Sequence, residues 1–476
     1  MEANSDKKLN LLELTGLVVG SIIGGGIFNL MHDMALGAGA GATILGWIVT
    51  AIGMMSLAFT FQNLTIKRAD LNTGIYSYAE EGFGKYMGFN AAWGYWLSVL
   101  MGNVSYATLV MSSIGYFIPI FGNGQNIYSI IGSSVLLWGC HFLLLKGVKS
   151  ASFTNVIITI TKLVMIALFI LIAFLSFKLH IFTHDFWYTP SGHFELLDVL
   201  KQVKSTMLVT VWVFVGIEGA VIFSGQAKHR RDVGRATVFG ISIIILIYML
   251  ITLLSFGVMS RYHLAHLGQP AMAYFLQDVV GKWGAVVVNI GLIIAVMGTW
   301  MSFTMLAGQV PYEAAKAGTF PKSFAKANAN GAPTHSLLVT DLLVQILLFL
   351  LLFAASAYNF FFSIASSAML VPYALTSFYQ LKHSIMENHG SDKVRNIILG
   401  IVASIYSCWL LFSIGTNFAL LMMILFAAGI PVYWQLQRKD NHQQRVFKTP
   451  ERILAIVVSI FAIFAIYEVM TGKITF

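Results

Sequence analysis

The chain reads as an all-α integral membrane protein of about twelve to thirteen transmembrane helices. Its core is expected to be two inverted repeats of five helices, each opening on a broken helix (helices 1 and 6). Three observations predict this class. Hydrophobic residues make up 57% of the 476 residues and charged residues 10%, with a mean hydropathy of +0.77. A soluble domain has about a quarter of its residues charged, so this surface is matched to lipid. Apolar runs of about 18 to 25 residues, enough to cross a bilayer, recur along the whole chain. Two of them, Gly16-Leu-Val-Val-Gly-Ser-Ile-Ile-Gly-Gly-Gly-Ile-Phe28 and Val211-Trp-Val-Phe-Val-Gly-Ile-Glu-Gly-Ala-Val-Ile-Phe223, carry glycines at their middles.

Residues 1–11 form a short polar tail without the features of a cleavable signal peptide, so the first span is expected to stay in the mature protein. Spans follow near 12–33, 40–64, 88–118, 127–145 and 153–177, then near 203–225, 235–257, 283–310, 335–355 and 358–381. Three more lie near 397–414, 416–436 and 452–470, the first two read as a hairpin interrupted at Gly415-Thr-Asn417. The sets 12–177 and 203–381 match in number and length. Five is odd, so the second set enters the membrane from the opposite side, as in inverted repeats with broken first helices. Residues 12–381 are therefore read as the core and 397–476 as peripheral helices.

Loop charge sets the orientation. About 22 of the 29 Lys and Arg residues fall in alternate loops, including Lys67, Arg68, Lys146, Arg230, Arg231, Lys322 and Arg395. The positive-inside rule makes those loops, and the N-terminus, cytoplasmic in a multi-pass protein of the cell membrane. The net charge of +9 follows from this topology and from attraction to anionic lipid. A nucleic-acid partner is excluded, because no contiguous soluble basic face exists.

Cys140 and Cys408 both sit in apolar segments and suggest neither a disulfide nor a metal site. No cofactor is implied. An integral-membrane enzyme would need clustered acid, base or metal ligands, and His141 reads as a lone histidine at a span end. A channel would need a filter or pore-lining rings, and neither is visible.

The two broken segments hold the informative residues. Gly24-Gly25-Gly26 exceeds what packing on one helix face requires, although small residues also serve close packing. Unwound backbone at membrane depth is tolerated where it lines a cavity. Glu218 lies about fifteen residues into its span, near the midplane, where a carboxylate costs several kcal/mol unless paired or hydrated. It is either a neutral carboxyl bonding freed backbone groups or a coupling group for a cationic ligand. Lys162 lies about ten residues into its span, too deep for easy snorkelling.

Several motifs then carry a resemblance. Gly20-Ser-Ile-Ile-Gly-Gly-Gly-Ile-Phe28, Tyr95-Trp-Leu-Ser-Val-Leu-Met-Gly-Asn103, Trp212-Val-Phe-Val-Gly-Ile-Glu-Gly219, Ala307-Gly-Gln309, Phe320-Pro321 and Leu370-Val-Pro-Tyr373 stand in order through nearly the whole chain. They resemble the amino acid–polyamine–organocation superfamily, whose fold is of the leucine-transporter type. The run from Phe223 to Thr237 resembles the basic amino acid/polyamine antiporters, most of all the arginine/ornithine exchangers, with Gln226 where those commonly have arginine.

The resemblance implies a secondary antiporter, not an enzyme, that exchanges a cationic amino acid, arginine favoured, for ornithine or a related amine. Other exchanges (histidine for histamine, lysine for cadaverine, ornithine for putrescine) and proton-coupled uptake are the alternatives. A homodimer is left open. In such a protein the N–H groups after Gly26 would hold the substrate carboxylate, and carbonyls at Ile217 and its neighbours the α-ammonium. Ile23, Gly24, Gly25, Gly26, Gly216 and Ile217 thus line the expected site. By resemblance Trp212 is a gate over substrate through cation–π contact. Phe303 occupies the place of a pocket tryptophan, with Trp300 one turn earlier. Tyr95, Asn103, Ser363 and Ser366 are further contacts, although membrane Asn and Ser often simply bond between helices. Glu218 and Lys162 are the coupling candidates, Lys162 standing where sodium-coupled relatives bind sodium and donating to carbonyls of residues 20–23.

Overall fold

A computed structural model describes residues 11–68, 70–71, 75–147, 151–218, 230–353, 357–386, 392–440 and 446–474, and among these the chain is helical without strands. The helices in order are α1 (Leu11–Ile22), α2 (Leu30–Gly37), α3 (Ala40–Lys67), α4 (Ile75–Phe83), α5 (Lys85–Phe117), α6 (Ile127–Leu145) and α7 (Ala151–Leu175). Next come α8 (Leu179–Thr183), α9 (Leu196–Phe214), α10 (Arg230–Val258), α11 (Arg261–Ala265), α12 (Ala271–Val280) and α13 (Lys282–Lys316). The series closes with α14 (Thr334–Leu350), α15 (Ala357–Met386), α16 (Lys393–Ser413), α17 (Thr416–Ala427), α18 (Gly429–Asp440) and α19 (Thr449–Met470). The 1–10 stretch of the tail, Gly219, Gln226 and the basic cluster at 228–229 lie outside the described residues.

Eleven helical segments among the described residues are long and apolar enough to cross a membrane. The two expected spans missing from that set are the glycine-broken ones. α1 is only 12 residues long before its break, and α9 begins with Asp198, Lys201 and Lys204. Eleven of the expected spans are thus found as membrane-length helices among the described residues. Gly415, at φ +79°, separates α16 from α17 at the interruption read from sequence. The short helices α4, α8, α11 and α12 were not expected, because five to ten residues leave no membrane-length signal. Pro311 and Pro372 lie inside α13 and α15, which continue through them. Membrane helices tolerate such prolines because neighbouring groups re-satisfy the freed carbonyls.

The chain divides into two compact units, one of Met1–Ala69, Phe153–Val296 and Val394–Tyr406, the other of Asp70–Ser152, Met297–Lys393 and Ser407–Phe476. Each draws helices from both the 12–177 and the 203–381 segments. In the first unit α10 is the hub, packed on α1, α2 and α3, while α9 lies on α2 and α3. In the second, α5 and α15 form the central pair, flanked by α4, with α6 against α14 and α17 against α19. Burial separates core from periphery there: 94% of the α5 span is buried inside the protein but only 17% of α19. A helix that is apolar all round can occupy either place, so hydropathy alone does not distinguish them.

Candidate functional site

The first break lies in the first unit. The α1 ladder ends as Ile23 N–H bonds to the Val19 carbonyl at 3.0 Å. Gly24 is extended (φ −99°, ψ −159°) and half-buried, and Gly25–Phe28 form a buried 3₁₀ turn. Asn29 N–H bonds to the Gly26 carbonyl at 3.3 Å, and α2 starts at Leu30. The Asn29 side chain fixes the restart, its Oδ1 accepting from Ala271 N–H at 2.8 Å. A helix start leaves its first N–H groups without intrahelical partners and carries positive potential. Helix starts of this kind are places where anions can bind.

The second break begins where α9 stops at Phe214. Val215 and Ile217 N–H groups bond back to Trp212 and Phe214 carbonyls at 3.2 and 3.1 Å. Gly216 has φ +109°, a conformation that side chains disfavour, which explains a glycine here. Glu218, 6% exposed, turns back on the break and accepts from Gly216 N–H at 3.2 Å through Oε2. That bond is the one the structural alternative for Glu218 required.

Side chains from other helices tie these breaks down. Lys162 on α7, 5% exposed, donates from Nζ to the Ile23 carbonyl at 2.7 Å, within the group of carbonyls singled out from sequence. A Cβ on Gly26 would lie 2.7 Å from Trp212 Cδ1 and 3.0 Å from Val213 Cγ1. Trp212, itself 3% exposed, therefore lies against the Gly26 backbone, and close packing is a reason for this glycine beside any role in binding. Sequence reasoning missed Tyr248. Its hydroxyl donates to the Val213 carbonyl at 3.0 Å, and its ring packs against Phe214 and Trp47. Trp47 is anchored by Nε1 donating to Thr252 Oγ1 at 2.8 Å. One tyrosine in an apolar run carries almost no signal of such a contact.

The remaining named residues lie in the second unit. Tyr95 is buried on α5. Asn103 donates to its own helix at Val99 O and accepts from Thr304 Oγ1, both at 2.8 Å, so its amide joins α5 to α13. Phe303 meets Tyr106 edge-on at 4.8 Å. Trp300 is fully buried, and its Nε1 has no hydrogen-bond partner among the described residues. Ser366 bonds back to Phe362 O at 2.8 Å, and the Ser363 carbonyl accepts from Ser367 at 2.7 Å.

One expectation is corrected. His141 is not lone: Nδ1 meets Asp341 Oδ2 at 2.6 Å in a buried pair between α6 and α14. Trp138 Nε1 and Ser134 Oγ bond to Gln345 on the same helix faces, at 3.1 and 2.8 Å. Spacings of three and four residues align these groups on each helix. Their partners lie about 200 residues away in sequence, beyond the reach of local reading.

A family profile described as amino acid permease matches residues 9–414. The chain is 42% identical to an arginine/ornithine antiporter of Pseudomonas aeruginosa, over the whole of both chains. It is also 42% identical to an arginine/agmatine antiporter of Chlamydia abortus over 99% of each chain, and to one of Chlamydia trachomatis over 98% of this chain.

Proposed function

We propose that this chain, which belongs to the amino acid permease family, is an antiporter that exchanges arginine for ornithine or a related amine across the cell membrane. The observation that carries the reading is the pair of broken helices in one unit, with Gly24, Gly25, Gly26, Gly216 and Ile217 offering backbone groups and Glu218 a carboxylate beside them. A carboxylate would be held at the 3₁₀ turn by N–H groups and helix dipole. An α-ammonium would be held by carbonyls near Ile217. Trp212 would shut over the ligand by cation–π contact and would leave the Gly26 backbone to admit it. The Lys162 ammonium takes the place of a bound sodium ion, so exchange is sodium-independent. The N-terminus is cytoplasmic, by the loop-charge rule.

Relatives at equal identity are named for two different counter-substrates, ornithine and agmatine. Chemistry favours ornithine at a site that holds an α-carboxylate, since agmatine has none. Charge separates them in one assay. Arginine for ornithine exchanges like charges, whereas arginine for agmatine moves a net charge and responds to membrane potential, at about 2.3 kcal/mol per charge per 100 mV. Proteoliposomes loaded with ornithine should take up labelled arginine at a rate independent of an imposed potential and of sodium. Uptake without any internal amine would mean a uniporter or channel and sink the antiport reading.

A further inference from the structure

We infer that the first unit carries a binding site for the phosphate of an anionic phospholipid at the juncture of α3, α10 and α16. A cavity of about 660 Å³ opens there. Two guanidinium groups line it, Arg235 from the start of α10 and Arg395 from the start of α16. Three amides join them: Gln62 and Asn63 from the last turns of α3, and Asn396 from α16. No carboxylate among the described residues lines the cavity.

Asn396 adds an independent sign. It is 1% exposed, and its Nδ2 is buried without a hydrogen-bond partner among the described residues. A buried, unmet donor costs about 1 to 3 kcal/mol, and an acceptor at this cavity would remove that cost. Guanidinium forks and amide donors suit phosphate oxygens, which take several hydrogen bonds at once.

The cavity's other lining is apolar and faces outward. Ile66 is 59% exposed and Phe239 53%, exposure that at these helices implies contact with lipid chains. A ligand that is anionic at one end and apolar at the other matches both halves of the lining, whereas a soluble anion uses only the polar half. All three helices present their loop-proximal turns here, on the side where basic loops concentrate, so the phosphate would sit at headgroup depth. The site is independent of the substrate reading above.

The test uses the purified full-length protein in neutral detergent, stripped of lipid. Thermal stability is followed on adding phosphatidylglycerol, phosphatidylcholine or inorganic phosphate, for wild type, R235Q/R395Q and a control pair, K322Q/K326Q, placed on other loops. Phosphatidylglycerol should raise the melting temperature of wild type and control, with half-effect at roughly thirty-fold higher lipid in R235Q/R395Q. Phosphatidylcholine and inorganic phosphate should give no comparable rise. An unchanged curve for R235Q/R395Q, an equal loss in the control pair, or an equal rise with inorganic phosphate would each overturn the assignment. If R235Q/R395Q does not fold, N396L removes the buried amide donor while keeping both charges. Half-effect should then move to about tenfold higher phosphatidylglycerol, and an unmoved curve in N396L rejects the site.

Discussion

The two broken segments solve the same problem by opposite means. In the first, between Ile23 and Asn29, the loose backbone is held from outside: Lys162 takes the Ile23 carbonyl, Ala271 N–H takes the Asn29 side chain, and Trp212 covers Gly26. In the second, the bonds seen among the described residues are mostly its own: backbone bonds to Trp212 and Phe214 and the Glu218 carboxylate on Gly216 N–H. Tyr248 adds an outside contact at Val213. An externally held break moves when its neighbours move, whereas a self-capped one keeps its shape. The first segment is therefore the one expected to change between conformations of a transport cycle, with α7 and Trp212 as its levers.

The largest effect should follow removal of the outside lever. Lys162→Met loses a charge-assisted bond to the Ile23 carbonyl, worth about 1.5 to 3 kcal/mol. Arginine exchange should fall on the order of a hundredfold, with a lower melting temperature. Exchange at the wild-type rate would show that the first break does not depend on its external clamp. Gly26→Ala comes next. The added Cβ overlaps the Trp212 indole, and such overpacking costs about 1 to 3 kcal/mol. Stability should return in G26A/W212L, a coupling that a double-mutant cycle reads directly. No recovery would mean that Gly26 is required by the backbone and not by Trp212.

Glu218→Gln tests the self-capped break. Glutamine keeps an acceptor for Gly216 N–H, so melting should shift by less than about 1 kcal/mol equivalent. Exchange should drop about tenfold, a change of 1.4 kcal/mol in barrier, and its pH dependence should flatten. Unaltered rate and pH profile would leave the carboxylate a purely structural cap. The smallest effect is expected for Tyr248→Phe, which keeps the rings against Trp47 and Phe214 and loses one hydrogen bond, about 1 kcal/mol. A large loss of exchange without loss of stability would instead rank Val213 beside Ile23 as an externally governed point.

The unequal depth of sequence information follows from the same physics. Both breaks were legible because glycines inside membrane-length apolar segments are local features, and Gly216 sits at a positive φ within the expected break. Glu218 and Lys162 stood out because charge in an apolar run is costly wherever the helix packs. The aromatic candidates did not separate from the background, in a chain where 13% of residues are aromatic.

By itself the sequence determined the lipid surroundings, the approximate limits of eleven membrane-length helices, and the two places where the helical ladder fails. Hydropathy and backbone preference act over a few residues, so they are written locally. Only the tertiary structure decided what meets those broken ends: Trp212 against Gly26, Lys162 on Ile23, Tyr248 on Val213, and Asp341 beside a histidine that had looked solitary. Each pairing depends on the rotation and register of helices far apart in the chain. In an apolar helix those are set by side-chain packing against neighbours, which leaves too weak a periodic signal to read in advance.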